Sequence, residues 1–520
     1  MSSKCGKSEQ EFTGWRNILW PIHNHEMKKF VPMGLMMMFI LFNYTLMRDT
    51  KDVLVVNAPG SGAEVLSFLK LFGVLPGAVL FMLVYTKIAN LMSSEKIFYS
   101  IIAFFMVFFA MFGFVLSPLG PALHADLNTI NSWRASCPPG LYWPLAAVAN
   151  WTYSLYYIMA ELWGSVAIGL LFWQFANATT KVTESRRFYA FYGMIGNVGL
   201  LSSAGVLWVS SLFGSRARIN GTSAGYGDGY VENLRVVVCA ILVAGLFIMF
   251  IYNWMQKHVL TDPALFDPSL VKEKHQKLNL SVVDSFKCIF KSSYLGLLLL
   301  MVLGYNICMP LVELIWKSQL KIAFPDRNDY QSVMGLLSFS TGAFTMIVTV
   351  VGMNILRRCS WRTAALITPI MFLVASALFF LLLNYTRITG PNTPVDLGFM
   401  TTTVVMLTVV VGLIQNVASK GTKYSLFDPT KQMAYIPLEP ELKSKGQAAV
   451  EVVGGRLGKS AGAGILSGLL WLFGGATSLL SLSPILGPII LLIAFLWILA
   501  VFGLNKMFLS LTSKSGVASK

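Results

Sequence analysis

Twelve long apolar runs constrain this chain more than any other feature. Each run is long enough to cross about 30 Å of hydrocarbon as a helix. The composition agrees, since 55% of the 520 residues are hydrophobic and only 12% are charged, as in a polytopic membrane protein. We expect spans at residues 30–48, 64–86, 97–117, 145–176, 188–213, 232–255, 293–316, 332–356, 361–384, 397–419, 447–473 and 484–508. The sequence therefore predicts an all-α polytopic membrane protein.

The spans are expected to form two halves. The longest polar stretch between apolar runs, 256–292, divides the runs six and six. The glycines of 196–202 also match those of 455–460 in register, as duplicated helices would. Two six-helix halves form the major-facilitator plan, with substrate bound between them near the midplane. The expected domains are an N-terminal tail (1–29), an N-terminal bundle (30–256), a linker (257–292), a C-terminal bundle (293–510) and a C-terminal tail (511–520).

Loop charge predicts the orientation. Lys and Arg concentrate in alternate loops and in both tails, and basic residues in short loops stay on the cytoplasmic side. Both tails and the linker are therefore expected in the cytoplasm, and the net charge of +16 is largely a topology signal. Nucleic acid is excluded as a partner because no basic stripe lies on a soluble domain. The six scattered cysteines predict no disulfide framework.

A small set of charges lies inside the spans or at their rims. One charged side chain at a helix centre costs roughly 2.5 to 3.5 kcal/mol, so several together need partners, water or a charged ligand. They indicate a polar cavity and an ionic substrate. The set consists of Lys51 with Arg48, Glu161, Glu313, and Arg456 with Lys459.

Arg456 and Lys459 are the most deeply placed cations. They share a helix face, and Lys459 is expected about 16 Å from the start of its helix, near mid-bilayer. The matching positions of the first half are Asn197 and Leu200, so only one half carries the cations. Either Glu451 and another acid neutralise them, or they bind an anionic substrate. The surrounding glycines do not make a P-loop, because the spacing fails and no strand precedes them.

Glu161 and Glu313 each have two interpretations. Tyr153, Tyr157 and Glu161 fall on one helical stripe. That stripe could hold an aromatic base, or be a packing seam in which Glu161 pairs with a lysine. Glu313 follows Asn306 by two turns and is favoured as a functional residue; the alternative is an interfacial belt formed by the next Trp and Lys.

Several motifs resemble the ATP/ADP translocase family, the nucleotide transporters of obligate intracellular bacteria and plastids. The likeness runs from about residue 30 to 505, and its most specific part is Lys-Tyr-Ser-Leu-Phe-Asp-Pro. The motifs that carry it are 43–52, 58–64, 159–164, 423–429 and 433–437.

The resemblance implies exchange of host ATP for ADP and phosphate without hydrolysis, so no enzyme activity is expected. The two lysines and two glutamates important in the family correspond to Lys51, Glu161, Glu313 and Lys459. The chain lacks a transit extension, which favours a bacterial inner membrane. The alternative is a proton-coupled or exchange transporter of the same family for other nucleotides or NAD.

The expected mechanism is alternating access around one central site. Lys459, Arg456 and Lys51 would neutralise the polyphosphate through charge-assisted contacts, with Arg48 as their neighbour. Tyr157 could stack on the adenine, and Asn306, Gln415 or Asn416 could read its edge. We expect a monomer in the lipid bilayer that binds ATP, ADP and phosphate as substrates and uses no cofactor or metal. A channel is disfavoured because the charges differ between the halves.

Overall fold

The computed structural model describes residues 22–180, 182–262, 265–266, 292–396, 398, 401–438, 450, 455–474 and 478–514. Within these ranges, eleven helices are long and apolar enough to span a membrane, and a shorter apolar helix, Leu457–Phe473, takes the remaining place in the series. The all-α polytopic architecture is confirmed. The count of twelve is met only if this shorter helix spans as well. Part of its predicted length, 447–449 and 451–454, lies outside the described residues.

The described part of the first half contains six span helices and three short α-helices between the third and fourth spans. The spans are α1 (Met27–Val56), α2 (Val65–Phe68, Leu69–Val74 and Leu75–Leu91), α3 (Ser94–Met111 and Phe112–Leu116), α7 (Trp151–Trp163, Gly164–Phe172 and Trp173–Thr179), α8 (Val182–Ile219) and α9 (Tyr230–His258). The short helices are α4 (Gly120–Leu123), α5 (Leu127–Ser136) and α6 (Tyr142–Ala149).

In the second half, the described residues form six further helices and one hairpin. They are α10 (Ser293–Ala323), α11 (Arg327–Arg358), α12 (Trp361–Thr389), the strands β1 (Pro394–Asp396) and β2 (Thr401–Thr403), α13 (Val404–Thr422, Lys423–Phe427 and Asp428–Ala434), α14 (Gly455–Phe473) and α15 (Leu479–Lys514). The linker lies largely outside the described residues, so the domain boundaries stay predictions.

Among the described residues, four span helices contain a π-helical stretch, where the turns are wider than in an α-helix. Such stretches interrupt regular packing and occur often at functional sites. They lie in α2, α3, α7 and α13, at Leu69–Val74, Phe112–Leu116, Gly164–Phe172 and Lys423–Phe427.

Two predicted boundaries are wrong for local reasons. The apolar run that begins near 145 is divided at Asn150, whose φ of −106° and ψ of 45° leave the helical region, so α6 ends before α7 begins. The tenth span begins at Val404 rather than 397. The preceding residues form an antiparallel hairpin in which Pro394 pairs with Thr403, and the Thr403 side chain caps α13.

The glycine match between the halves corresponds to equivalent packing. On α8, a Cβ at Gly199 would lie 2.3 Å from the carbonyl oxygen of Met38 on α1. On α14, a Cβ at Gly458 would lie 2.7 Å from the Cβ of Asn306 on α10. In each half the fifth span therefore approaches the first span closely at a glycine.

The two halves meet in the distal half of the bundle, which we define as the part where α1 ends and α11 begins. In the described part of the chain, the hydrogen bonds between halves all lie there. Ser211 bonds to Ser332 at 2.7 Å, Asn233 to Asn328 at 2.8 Å, and Tyr230 to Gln331 at 2.6 Å. The structure is therefore closed at its distal end.

Candidate functional site

A chain of five ion pairs joins the two halves. Glu161 lies 3.0 Å from Lys51, which lies 2.7 Å from Asp52. Asp52 lies 2.7 Å from Lys317 of the second half. Lys317 lies 2.8 Å from Glu313, and Glu313 lies 3.2 Å from Lys420. Acids and lysines alternate throughout, so each charge inside the chain has two opposite neighbours.

Four helices position this ion-pair chain. The last two turns of α1 carry Lys51 and Asp52, while Glu161 projects from α7 just before its π-helical stretch. On α10, Glu313 and Lys317 are one turn apart and share a face. Because Lys317 pairs with an acid on each side, one side chain connects α10 to α1.

The ion pairs border a solvent-accessible space between the halves, which we call the central cavity. The side chain of Glu161 is 28% exposed, that of Glu313 19% and that of Lys420 16%. Lys51, Asp52 and Lys317 are almost completely buried. The chain of charges is therefore buried at its centre and accessible at both ends.

Lys51 lies over an aromatic ring as well as between two acids. Its ammonium is 3.9 Å from the centroid of the Tyr157 ring, a favourable cation–π distance. Tyr153 and Tyr157 are fully buried. In this structure the predicted stacking platform at Tyr157 is therefore covered, and the stripe is the packing seam with Glu161 paired to a lysine.

Arg48 reaches the second half from one turn before Lys51. It pairs with Asp49 at 2.9 Å and donates to the Ser338 hydroxyl at 2.9 Å. The same hydroxyl donates to Asp49. The guanidinium also lies 5.8 Å from the Tyr44 ring. Arg48 thus belongs to the interface between the halves and remains a quarter exposed to the central cavity.

The interfacial-belt interpretation of the residues after Glu313 is wrong. Trp316 is fully buried and donates to the carbonyl of Val409 at 2.9 Å. Lys317 is the central cation of the ion-pair chain. Asn306 lies on the same helix, and its side-chain amide donates to the carbonyl of Val302 at 2.9 Å. It also packs against Gly458 of α14, the residue before Lys459.

Lys459 is exposed on α14. Among the described residues, no carboxylate lies within ion-pair distance of it. Tyr424 is close enough to interact with it electrostatically. The side chains of Glu451 and Arg456 lie outside the described residues, so the alternative in which they pair stays untested.

Four charged residues of this site escaped the sequence analysis: Asp52, Lys70, Lys317 and Lys420. A helical signal existed for Lys317, which stands four residues after Glu313 on the same face. Lys70 lies within electrostatic range of Glu161 and Lys51, and no acid of the described residues pairs with it. Asp52 and Lys420 lie just beyond the ends of predicted spans, where charged residues are common and therefore indicate no site.

Beyond the ion-pair chain, cations of the second half cover the end of α1. Lys321 donates to the carbonyl of Val56 at 2.7 Å, and Arg327 donates to that of Asn57 at 3.1 Å. Cations are favourable at a helix C-terminus. Arg327 also lies 3.3 Å from Asp228. These contacts close the distal end over the site.

His124 lies beside this closure, outside the membrane spans. Its ring nitrogens lie 2.9 Å from the Tyr226 hydroxyl and 2.6 Å from the Thr152 hydroxyl. Burial, together with the charge of Arg327, lowers the pKa of His124 to about 4. The ring is therefore neutral at physiological pH.

A separate cavity of about 920 Å³ lies between α2, α7 and α14. Its lining is almost wholly apolar and includes Phe72, Trp151 and Trp471. Such a lining does not suit an ionic substrate. The charged residues therefore define the candidate site.

The model of the TLC ATP/ADP transporter family matches residues 5–508. The chain belongs to this family. It is 44% identical over 506 residues to "ADP,ATP carrier protein 1" of Chlamydia pneumoniae, covering 96% of this chain and 95% of the relative. It is 42% identical over 511 residues to the protein of the same name from Rickettsia typhi, covering 98% and 99%.

This TLC-family transporter also has a major-facilitator-like fold. It matches the crystal structure of a bacterial homologue of the iron transporter ferroportin with a TM-score of 0.53, covering 95% of this chain and all of that one. The sequences are only 13% identical, so the match concerns the fold alone. The family and the fold expected from the sequence are both confirmed.

Proposed function

We propose that this protein imports ATP in exchange for ADP, with phosphate accompanying ADP, by alternating access around the central cavity. Family membership and the names of its relatives support the nucleotides. The observation that carries the mechanism is the ion-pair chain, because it places three lysines and three acids where two mobile halves meet.

The lysines would bind the polyphosphate. Charge-assisted bonds between ammonium groups and phosphate oxygens are strong in a partly dry site. Lys459 and Lys70 have no acidic partner among the described residues, and Lys420 stands at the open end of the ion-pair chain. Arriving phosphates meet these three first and then compete with the acids for Lys51 and Lys317. Arg48 extends the same positive surface, and Arg456, three residues before Lys459 in the sequence, is a further proposed phosphate ligand.

The acids would serve as partners for the lysines when the site is empty. A buried charge that loses its partner costs several kcal/mol, so the lysines need either a carboxylate or a phosphate at every stage. In the distal-closed state, Asp52 and Glu313 both hold Lys317. Opening the distal end would pull Lys317 from Asp52, and a bound phosphate would replace that carboxylate.

This replacement explains why transport would be an exchange. Without substrate, the cross-half pair between Asp52 and Lys317 holds the distal end closed, together with the bonds of Arg48, Lys321 and Arg327. With substrate bound, Asp52 and Lys317 can separate without leaving Lys317 unpaired. Either nucleotide therefore permits the halves to rock, while the empty carrier stays where it is.

Reconstituted exchange tests the proposal. Proteoliposomes would be loaded with ADP, ATP, GTP or buffer, and uptake of labelled ATP measured. We expect rapid uptake only into vesicles loaded with ADP or ATP, and its loss in Lys459→Ala. Equal uptake into empty vesicles under a proton gradient would instead support the proton-coupled alternative. Normal exchange by Lys459→Ala would contradict the assigned phosphate site.

We place the protein in a bacterial inner membrane as a monomer, with both termini in the cytoplasm. The loop charges support this orientation, and the distal end would then face away from the cytoplasm. Access of a membrane-impermeant thiol reagent to cysteines introduced at 126 and 514 checks it. Only position 126 should react from outside intact cells.

A further inference from the structure

The ion-pair chain offers phosphates many partners but gives a nucleobase none. Tyr157, the stacking residue expected from the sequence, is buried beneath Lys51. Asn306 uses its amide on the helix backbone. A base site has to present an exposed flat surface, because stacking on an aromatic ring is how proteins hold bases without reading their edges.

Tyr424 presents such a surface in the second half. It is 55% exposed although it interacts electrostatically with Arg48 of the first half and with Lys459. Exposure combined with those neighbours means that its ring lines the central cavity. It stands in the π-helical stretch Lys423–Phe427, and the Lys423 ammonium lies 4.5 Å from its ring centroid. One face of the ring is thereby fixed.

Tyr44 presents a second ring in the first half. It is half-buried and rests on α7, where a Cβ at Gly164 would lie 2.5 Å from the ring. Only glycine allows that packing. The Tyr44 and Tyr424 hydroxyls are close enough to interact electrostatically, and both interact with Arg48. The two rings therefore lie within electrostatic range of each other and of Arg48, and each belongs to a different half.

The position of this pair along the site suits a nucleotide. Tyr44 stands seven residues before Lys51, two turns along the same face of α1, or about 10 Å along the helix axis. A base stacked on Tyr44 thus leaves room for the ribose between the base and the ion-pair chain. Arg48 lies halfway, where the phosphate nearest the ribose would come.

We propose that Tyr44 and Tyr424 bind the adenine ring between them as a base clamp, with the phosphates directed toward Lys51 and Lys317. The clamp rests on the proposed nucleotide exchange and extends it. Because each half supplies one ring, the base bridges the halves at one end of the substrate while the phosphates do so at the other. Free phosphate or polyphosphate engages only one of these two bridges.

Binding measurements on the purified protein test the clamp. ADP and inorganic tripolyphosphate would be titrated calorimetrically into wild type, Tyr44→Leu, Tyr424→Leu and the two Phe variants. We expect each Leu variant to bind ADP about five- to a hundredfold more weakly, with unchanged affinity for tripolyphosphate. The Phe variants should bind both like wild type, because stacking requires the ring and not the hydroxyl.

Tyr385→Leu is the matched control, since Tyr385 is similarly exposed, at 48%, on α12 outside the site. Wild-type ADP affinity in both Leu variants, or equal loss of ADP and tripolyphosphate, would overturn the clamp. If the Leu variants do not fold, Tyr424→Trp replaces them: ADP, but not tripolyphosphate, should change its fluorescence relative to wild type. An unchanged signal at saturating ADP would overturn the clamp.

The clamp and the proposed function fail in different ways. Loss of exchange in Lys459→Ala with normal ADP binding by both Leu variants would leave the function standing and remove the clamp. A wild-type protein that binds no ADP would overturn both.

Discussion

Lys317 of the second half lies 2.7 Å from Asp52 of the first, and both side chains are buried. This pair connects the two clusters of charge, since Asp52 also holds Lys51 and Lys317 also holds Glu313. Within the ion-pair chain it is the pair that crosses from one half to the other, so separation of the halves at this point requires it to break.

Replacing Asp52 should destabilise the empty protein. In Asp52→Asn, two buried lysines lose a carboxylate, and removing one partner of a buried pair costs about 3–5 kcal/mol. ATP should recover more stability in the variant than in wild type, because its phosphates supply the missing anion. Thermal unfolding with and without ATP measures both effects. Asp126→Asn is the control, because Asp126 is an exposed helix cap and Asn caps comparably.

A second substitution separates pairing from general damage. Adding Lys317→Gln to Asp52→Asn removes one of the stranded charges, so the double variant should be more stable than the sum of the two single losses predicts. Additive losses would show that the two residues do not interact in the folded protein.

Lys459 should matter for substrate and not for folding. In Lys459→Gln we expect ATP affinity to fall about ten- to a hundredfold, the loss of one charge-assisted bond of about 1.5–3 kcal/mol. The unliganded melting temperature should not change, because no described acid depends on this lysine. Lys506→Gln, on α15, serves as the control. Lower melting temperature with normal ATP affinity would instead indicate a structural role.

Cross-linking the distal closure should stop transport reversibly. The Ser211 and Ser332 hydroxyl oxygens lie 2.7 Å apart on α8 and α11, close enough for a disulfide. In a background without native cysteines, oxidising Ser211→Cys with Ser332→Cys should abolish exchange, and reduction should restore it. The control joins Thr386→Cys to Thr408→Cys, whose oxygens lie 3.0 Å apart within the second half. Continued exchange by the oxidised Ser211/Ser332 pair would contradict alternating access by separation of α8 and α11.

Acid should weaken the protein through His124. Its pKa is lowered to about 4 by burial and by Arg327, while an exposed histidine titrates near 6.5. The unfolded chain therefore binds the extra proton first, and stability should fall as the pH drops from about 6.5 to about 4. His124→Gln should flatten thermal stability across this window. Identical pH profiles for variant and wild type would exclude His124 as the cause.

The sequence predicted the spans well because each depends on a single property, a run of apolar residues long enough to cross the bilayer. It also singled out Lys51, Glu161, Glu313 and Lys459, since isolated charges in such runs are rare. It failed at Lys317, because a lysine beside a tryptophan at a helix end has the same local pattern whether it anchors in lipid headgroups or pairs inside the protein.

For the same reason, the residues that pair across the two halves could not be predicted from the local sequence pattern. Asp52 and Lys317 are 265 residues apart, and only the packing of α1 against α10 brings them together. The hairpin before α13 and the break at Asn150 were missed because apolar content there continues through a change of backbone direction. The two tyrosines of the base clamp likewise lie on different halves, so neither alone resembles a site.

The strict alternation of charges along the ion-pair chain has a consequence for how such carriers diversify. The charges of its three acids and three lysines cancel. Replacing any one of them by a neutral residue shifts the net charge of the ion-pair chain by one unit. Nucleoside tri- and diphosphates also differ by about one unit. We therefore expect a single charge substitution in the ion-pair chain to change the relative affinity for the two nucleotides while leaving the scaffold unchanged.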